Sequence, residues 1–238
     1  MNGSLRPWGD VPRRNRVDPW GDLHAVAARG MFTGNRGCLV NDAGRVVRHH
    51  HSRLWITCRT SYRDWRHPLD APHRWTPIFF LDDAVALAAG HRPCATCRRQ
   101  DYVAYRDAVT AADASRTLLT DDEEPATPEL RAAELDARLA SERHRRGRGL
   151  DRAADRITWA ADAAELPDGT VIIDDVGTPQ LLFVRRALAF SFGGWRDAGR
   201  RPIGPQRVLT PPTSVAALRH GFTPTLHPSA GFSRSHRP

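Results

Sequence analysis

Four cysteines carry most of the chemical potential of this 238-residue chain: Cys38, Cys58, Cys94 and Cys97. The last two form a Cys-x-x-Cys within His91-Arg92-Pro93-Cys94-Ala95-Thr96-Cys97-Arg98. In a chain expected to be cytoplasmic such a pair is more often metal-binding or redox-active than a structural disulfide. A redox pair of thioredoxin type opens a helix directly after a buried parallel strand, whereas here a helical pattern precedes the motif. Two thiolates two residues apart can share one tetrahedral zinc ion, and Arg92, Arg98 and Arg99 favour the thiolate form. Two more ligands must then come from elsewhere in the chain. Other reactive side chains are less constrained. His49, His50 and His51 cannot all face one ion from a strand, because neighbours point to opposite faces, so a partly exposed polar loop is expected. Ser214, His220 and His227 have no spacing that demands catalysis.

The elements around the cysteines can be read from pattern. Leu54-Trp55-Ile56-Thr57 and Pro77-Ile78-Phe79-Phe80-Leu81 are rich in β-branched and aromatic residues and predict strands. Cys38-Leu39-Val40 and Arg45-Val46-Val47, separated by Asn41-Asp42-Ala43-Gly44, predict a hairpin. Asp82 or Asp83 is placed to cap a short helix through Ala84–Ala89, with Gly90 closing it. A second helix follows Cys97, with Tyr102, Val103, Tyr105 and Val109 near helical spacing. Further on, Thr127 and Pro128 predict a helix start, the helix running from Glu129 to about His144. Val171-Ile172-Ile173 and Leu181-Leu182-Phe183-Val184 predict a hairpin, Val208-Leu209 a strand, and Ser214–Leu218 a helix capped by Thr213.

All 35 basic residues are Arg and none is Lys, giving 35 − 27 = +8 against the acids. Compositional bias explains the absence of Lys, but not the distribution. Residues 1–100 hold 16 Arg and 8 acids (+8), residues 101–170 hold 10 and 16 (−6), and residues 171–238 hold 9 and 3 (+6). A polyanion surface is therefore expected toward the two ends. Hydrophobic residues at 40% and charged residues at 26% exclude a collagen, a coiled-coil rod or wholesale disorder. No apolar stretch approaches the roughly 20 residues needed to span a bilayer, and residues 1–21 lack an apolar leader core. A cytoplasmic protein without a membrane partner is expected.

The stretch Phe79-Phe80-Leu81-Asp82-Asp83 through Gly90-His91-Arg92-Pro93-Cys94-Ala95-Thr96-Cys97-Arg98 resembles the second half of the zinc-binding domain of Ada-type alkylation-repair proteins. Trp55-Ile56-Thr57-Cys58-Arg59-Thr60-Ser61-Tyr62 is similar to its first half, so the resemblance spans Leu54 to Arg98. It implies that Cys58 is the first zinc thiolate, the one that accepts a methyl group from DNA phosphotriesters, and that Cys94 and Cys97 are the closing pair. Tyr62 stands where the family has its second Cys. A phenol, with an ordinary pKa of about 10, is a poor zinc ligand, so Cys38, or a His such as His67 or His73, is the expected fourth donor.

The sequence thus predicts an α+β protein. It begins with a flexible arm (1–23) and a zinc-stapled β/α module (24–110), followed by an acidic helical connector (111–164). A small α+β unit (165–227) and a disordered tail (228–238) complete it. The expected function is that of a zinc-binding, nucleic-acid-associated protein in DNA repair or damage processing, with DNA, or RNA, as partner. Arg59, Arg92, Arg98 and Arg99 are the expected phosphate contacts and Trp55, Trp65 and Trp75 either stack on bases or pack. The alternatives are a zinc-dependent hydrolase or nuclease with an open metal position, and methyl transfer to Cys58.

Overall fold

A computed structural model describes residues 12–64, 69, 72–117 and 130–231. The fold is α+β and built on two six-stranded sheets. In chain order its elements are β1 (Arg14–Val17), β2 (Leu23–Ala25), β3 (Phe32–Asn35), β4 (Ile56–Arg59), β5 (Ile78–Phe80), α1 (Asp83–Ala88), β6 (Arg92–Pro93), α2 (Arg99–Thr117) and α3 (Ala132–Arg143). Then follow β7 (Trp159–Asp162), β8 (Val171–Ile173), β9 (Pro179–Phe183), β10 (Arg186–Ser191), β11 (Gly194–Arg200), β12 (Pro205–Val208) and α4 (Pro212–Arg219). The first sheet runs β2-β1-β5-β3-β4-β6 and the second β11-β10-β9-β8-β12-β7. Among the described residues no helix is long and apolar enough to cross a membrane.

Helix α1 forms where the sequence predicts it. The Asp82 carboxylate accepts the Val85 N–H at 3.1 Å, and Gly90 takes φ +82° just past the end, a conformation that favours glycine. All six α1 residues are buried. Apart from Asp83 its residues are apolar on every side and must be covered, and α1 is packed against β5 of the first sheet and β8 of the second. One apolar core accordingly joins Val17, Ile78 and Phe80 from the front of the chain to Val171, Leu181, Leu188 and Trp195 from the back.

The N-terminus of α1 adds polar ties to that shared core. Asp82 accepts the Trp195 indole N–H at 2.6 Å and the His227 N–H at 2.9 Å. Asp83 accepts both forks of Arg98 at 2.5 and 2.8 Å, and the Thr225 N–H at 2.9 Å. The front module and the back unit are not separately cored.

Several segment boundaries differ from the sequence reading. Within the expected arm, Arg14–Val17 and Leu23 pair into the first sheet, with Val17 and Leu23 buried, because sheet hydrogen bonding orders a lead-in that has little apolar pattern of its own. The connector contributes β7, which pairs with β12. The expected tail starts with a 3-10 turn at Pro228–Ala230. It is held because Ser229 Oγ accepts the Trp195 backbone N–H at 2.8 Å and Ala230 enters the core. The predicted helix cap at Thr127 and Pro128 lies outside the described residues, as does His67.

Candidate metal centre

The cysteines meet through pairing of β4 with β6. The parallel ladder sets Thr57 beside Pro93, and the Cys94 N–H continues it by donating to the Thr57 carbonyl at 2.9 Å. Cys58 follows Thr57 on the strand and Cys94 follows Pro93. A turn then brings Cys97 back: the Arg98 N–H donates to the Cys94 carbonyl at 3.1 Å and the Thr96 N–H to Cys94 Sγ at 3.4 Å. The Sγ atoms of Cys58, Cys94 and Cys97 all lie within 4.8 Å of one another, placed to hold a metal ion. Cys94 and Cys97 are buried and Cys58 is partly exposed.

The thiols also tune one another. Cys94 is held well below the ordinary thiol range because Cys58, and then Cys97, donate hydrogen bonds to it. Cys58 is correspondingly pushed up, chiefly by the same bond to Cys94. The neighbouring S–H groups thus favour a thiolate within the cluster, the form that a metal requires.

All three cysteines line a cavity of about 310 Å³ on the outer face of the first sheet. Register explains its composition. Thr33 on β3 pairs with Cys58 on one side and Phe79 on the other, so these three side chains share one face. Ile56, Trp75 and Tyr62 complete an aromatic and apolar wall. Ile78 and Phe80, which flank Phe79, point the other way into the core.

Neighbouring residues test the other sequence expectations. Cys38 is not part of the sulfur group; its thiol donates to the Val40 carbonyl at 3.5 Å, within its own hairpin. His73 is exposed and lies 3.3 Å from Asp42. Among the described residues no fourth Cys, His, Asp or Glu joins the three thiols.

Arg92 and Arg98 are each 2% exposed and cannot reach a phosphate. Arg92 forms a two-pronged pair with Asp136 at 2.9 and 2.8 Å. Arg98 pairs with Asp83, Asp101 and Thr57 Oγ1 and lies 4.0 Å over the Phe32 ring. Arg98 thus anchors the Cys94–Cys97 turn to α1 and Arg92 ties β6 to α3, so the two arginines position the site. Arg59 and Arg99 are exposed beside it.

Trp55 is a packing residue, 2% exposed, whereas Trp75 faces the cavity; Trp65 lies outside the described residues. Ser214 is bound to the Tyr105 hydroxyl at 2.9 Å within the core. The histidine run lies in a partly exposed loop, as expected, with His50 and His51 exposed and His49 turned inward. His49 is 2% exposed and contacts the Gly21 carbonyl at 2.9 Å and Arg36 at 3.2 Å. The only local signal was the run of three His, which could not tell a buried first member from two exposed ones.

Compared with known proteins, the chain matches no family model, no curated protein and no solved structure.

Proposed function

We propose that this is a zinc-binding protein associated with nucleic acid, in which Cys58, Cys94 and Cys97 hold the ion. The observation that carries the reading is the convergence of three thiols within 4.8 Å. A tetrahedral zinc with bonds of about 2.3 Å sets its sulfurs about 3.8 Å apart, and thiolate donors suit zinc, so the donor set fits. The resemblance of Leu54 to Arg98 to the Ada-type zinc domain supports work in DNA repair or damage processing. The net charge of +8 supports a polyanionic partner, DNA or RNA. Exposed Arg59 and Arg99 are the phosphate contacts in this reading. The thiols, free of disulfides, suit a reducing compartment such as the cytoplasm.

A second reading follows from the cavity. Three protein donors facing a cleft leave a fourth position for an exchangeable ligand, as catalytic zinc sites do. A bound zinc would supply Lewis acidity at that position. The chain's own share is to orient a substrate against Phe79 and Trp75 and to exclude water around it. This arrangement suits a zinc-dependent hydrolase or nuclease, or acceptance of a methyl group by Cys58, the most exposed of the three thiols.

Metal content of the purified chain is the test. One zinc per chain is expected, retained in Cys38→Ser and lost in Cys58→Ser or Cys94→Ser; equal loss in all of them would remove the assignment. DNA binding should weaken as salt rises and weaken further in Arg59→Ala/Arg99→Ala. Mass spectrometry of the Cys58 peptide after incubation with methylated DNA decides the transfer reading.

A further inference from the structure

Trp55 and Thr57 point to the side of β4 opposite Ile56 and Cys58, and a second concavity lies behind Trp55. This cavity of about 490 Å³ is lined by Arg53, Arg143, Arg145, Arg146 and Arg152, together with three histidines, and by no carboxylate. Arg143 and Arg152 form a buried floor, while Arg53, Arg145 and Arg146 form an exposed rim. Of the five, Arg152 has a carboxylate partner, Asp155 Oδ2 at 2.6 Å. Arg143 spends its fork on carbonyls, those of Gly90 at 3.2 Å and Arg53 at 2.9 Å. Among the described residues Arg53, Arg145 and Arg146 form no ion pair.

The excess of positive charge continues inward. Arg36 is fully buried, bonded to the Gly21 carbonyl at 2.7 Å and to His91 Nε2 at 3.1 Å, with one Nη atom unpartnered. Arg156 is buried with Nε unpartnered, as is His144 Nε2 at the cavity wall. Arg36 and Arg143 lie 4.0 and 4.1 Å from the Trp55 ring centroid. The acids whose charge reaches these cations are already engaged: Asp22 accepts the Arg152 N–H at 2.7 Å and lies 3.6 Å from His49, Asp18 holds His24, Asp136 takes the fork of Arg92, and Glu142, which acts on both Arg143 and Arg156, accepts from the Thr213 hydroxyl at 2.7 Å. Burial pushes Arg143 and Arg156 down to about 9. Buried cations that bond to carbonyls rather than directly to a carboxylate are costly to keep, and a bound anion would neutralise them.

We propose that this cleft is a binding site for a phosphate group, carried either by a small phosphorylated molecule or by the end of a nucleic-acid strand. Several guanidinium forks around one cavity suit a tetrahedral dianion, which accepts from more directions than a planar carboxylate. The volume leaves room for the group that carries the phosphate. The site stands on the opposite side of β4 from the cysteines and does not depend on the metal reading.

The test uses the native chain and Arg145→Ala/Arg146→Ala, a change at the exposed rim that leaves the floor intact. Calorimetric titration with pyrophosphate, at constant ionic strength, should show binding that weakens about tenfold or more in the double variant. If a strand end is the natural source, a 5′-phosphorylated oligonucleotide displaces pyrophosphate and its 5′-hydroxyl counterpart does not. If a small molecule is the source, neither oligonucleotide displaces it. Absence of pyrophosphate binding, binding unchanged in the double variant, or equal displacement by both oligonucleotides would overturn the proposal.

Discussion

Arg98 follows Cys97 directly, and its type alone suits a phosphate contact, yet its fork closes on Asp83. Replacing it by Met leaves Asp83 buried with only the Thr225 N–H. The expected cost is roughly 3–5 kcal/mol, the range for breaking one side of a buried pair, measured by urea unfolding. Arg98→Met combined with Asp83→Asn should recover part of the loss, whereas an unchanged midpoint in Arg98→Met would show that the pair contributes nothing. The same reasoning explains why basic residues beside Cys-x-x-Cys were misleading. A count of arginines records charge but not the carboxylate across the fold that takes it up, and Asp136, the partner of Arg92, lies 44 residues away.

The histidines make a prediction of their own. Burial first, then the charge of Arg156, lowers His144 to about 2, and burial first, then Arg36, holds His49 far below the usual imidazole range. Both are neutral in the folded chain, whereas the unfolded chain takes up their protons below about 6.5. Stability should therefore fall as pH drops from about 6.5 toward 4. His144→Phe, which keeps a ring against Trp55, should flatten that slope by about one proton between pH 6.5 and 4. Equal slopes for the native chain and the variant would contradict this account.

At the level of elements, β3 illustrates how little room the site allows. A Cβ on Gly34 would lie 2.4 Å from the Phe80 ring and 2.8 Å from the Ile56 carbonyl. Gly34→Ala should cost about 1–3 kcal/mol by overpacking and should loosen β4, which carries Cys58. Its signature is lower stability together with weaker metal retention, and full stability would refute the close approach.

Elements with a strong local signature were legible. Examples are α1 with its Asp82 cap and Gly90 stop, α2 after Cys97, and the β8–β9 hairpin. Others were not, for a physical reason. Arg14-Asn15-Arg16-Val17 and the polar residues of β11 lack a clean apolar alternation, and they become strands through pairing with neighbours. The Cys-x-x-Cys was visible from spacing, and Cys58 only through the Ada-like resemblance. Neither spacing nor resemblance could show that Cys38 would remain in its own hairpin. The arginine-lined cleft behind Trp55 was invisible too, because its walls come from residues 50–55 and 140–152.

For the whole molecule, the shared core is decisive. With α1 enclosed between the sheets and Asp82 bonded to Trp195, the front and back halves should unfold together. Far-ultraviolet circular dichroism and tryptophan fluorescence are expected to give coincident urea transitions, and two separated transitions would show independent units. Within this shared core β4 presents the cysteines on one face and the basic cleft behind the other. The central claim is that three sulfurs hold the metal with a fourth position facing the cavity. X-ray absorption at the zinc edge of the native protein tests it most directly. Three sulfur neighbours at about 2.3 Å and one lighter oxygen or nitrogen neighbour are predicted. Four sulfurs, or no bound metal in a fully folded chain, would contradict it.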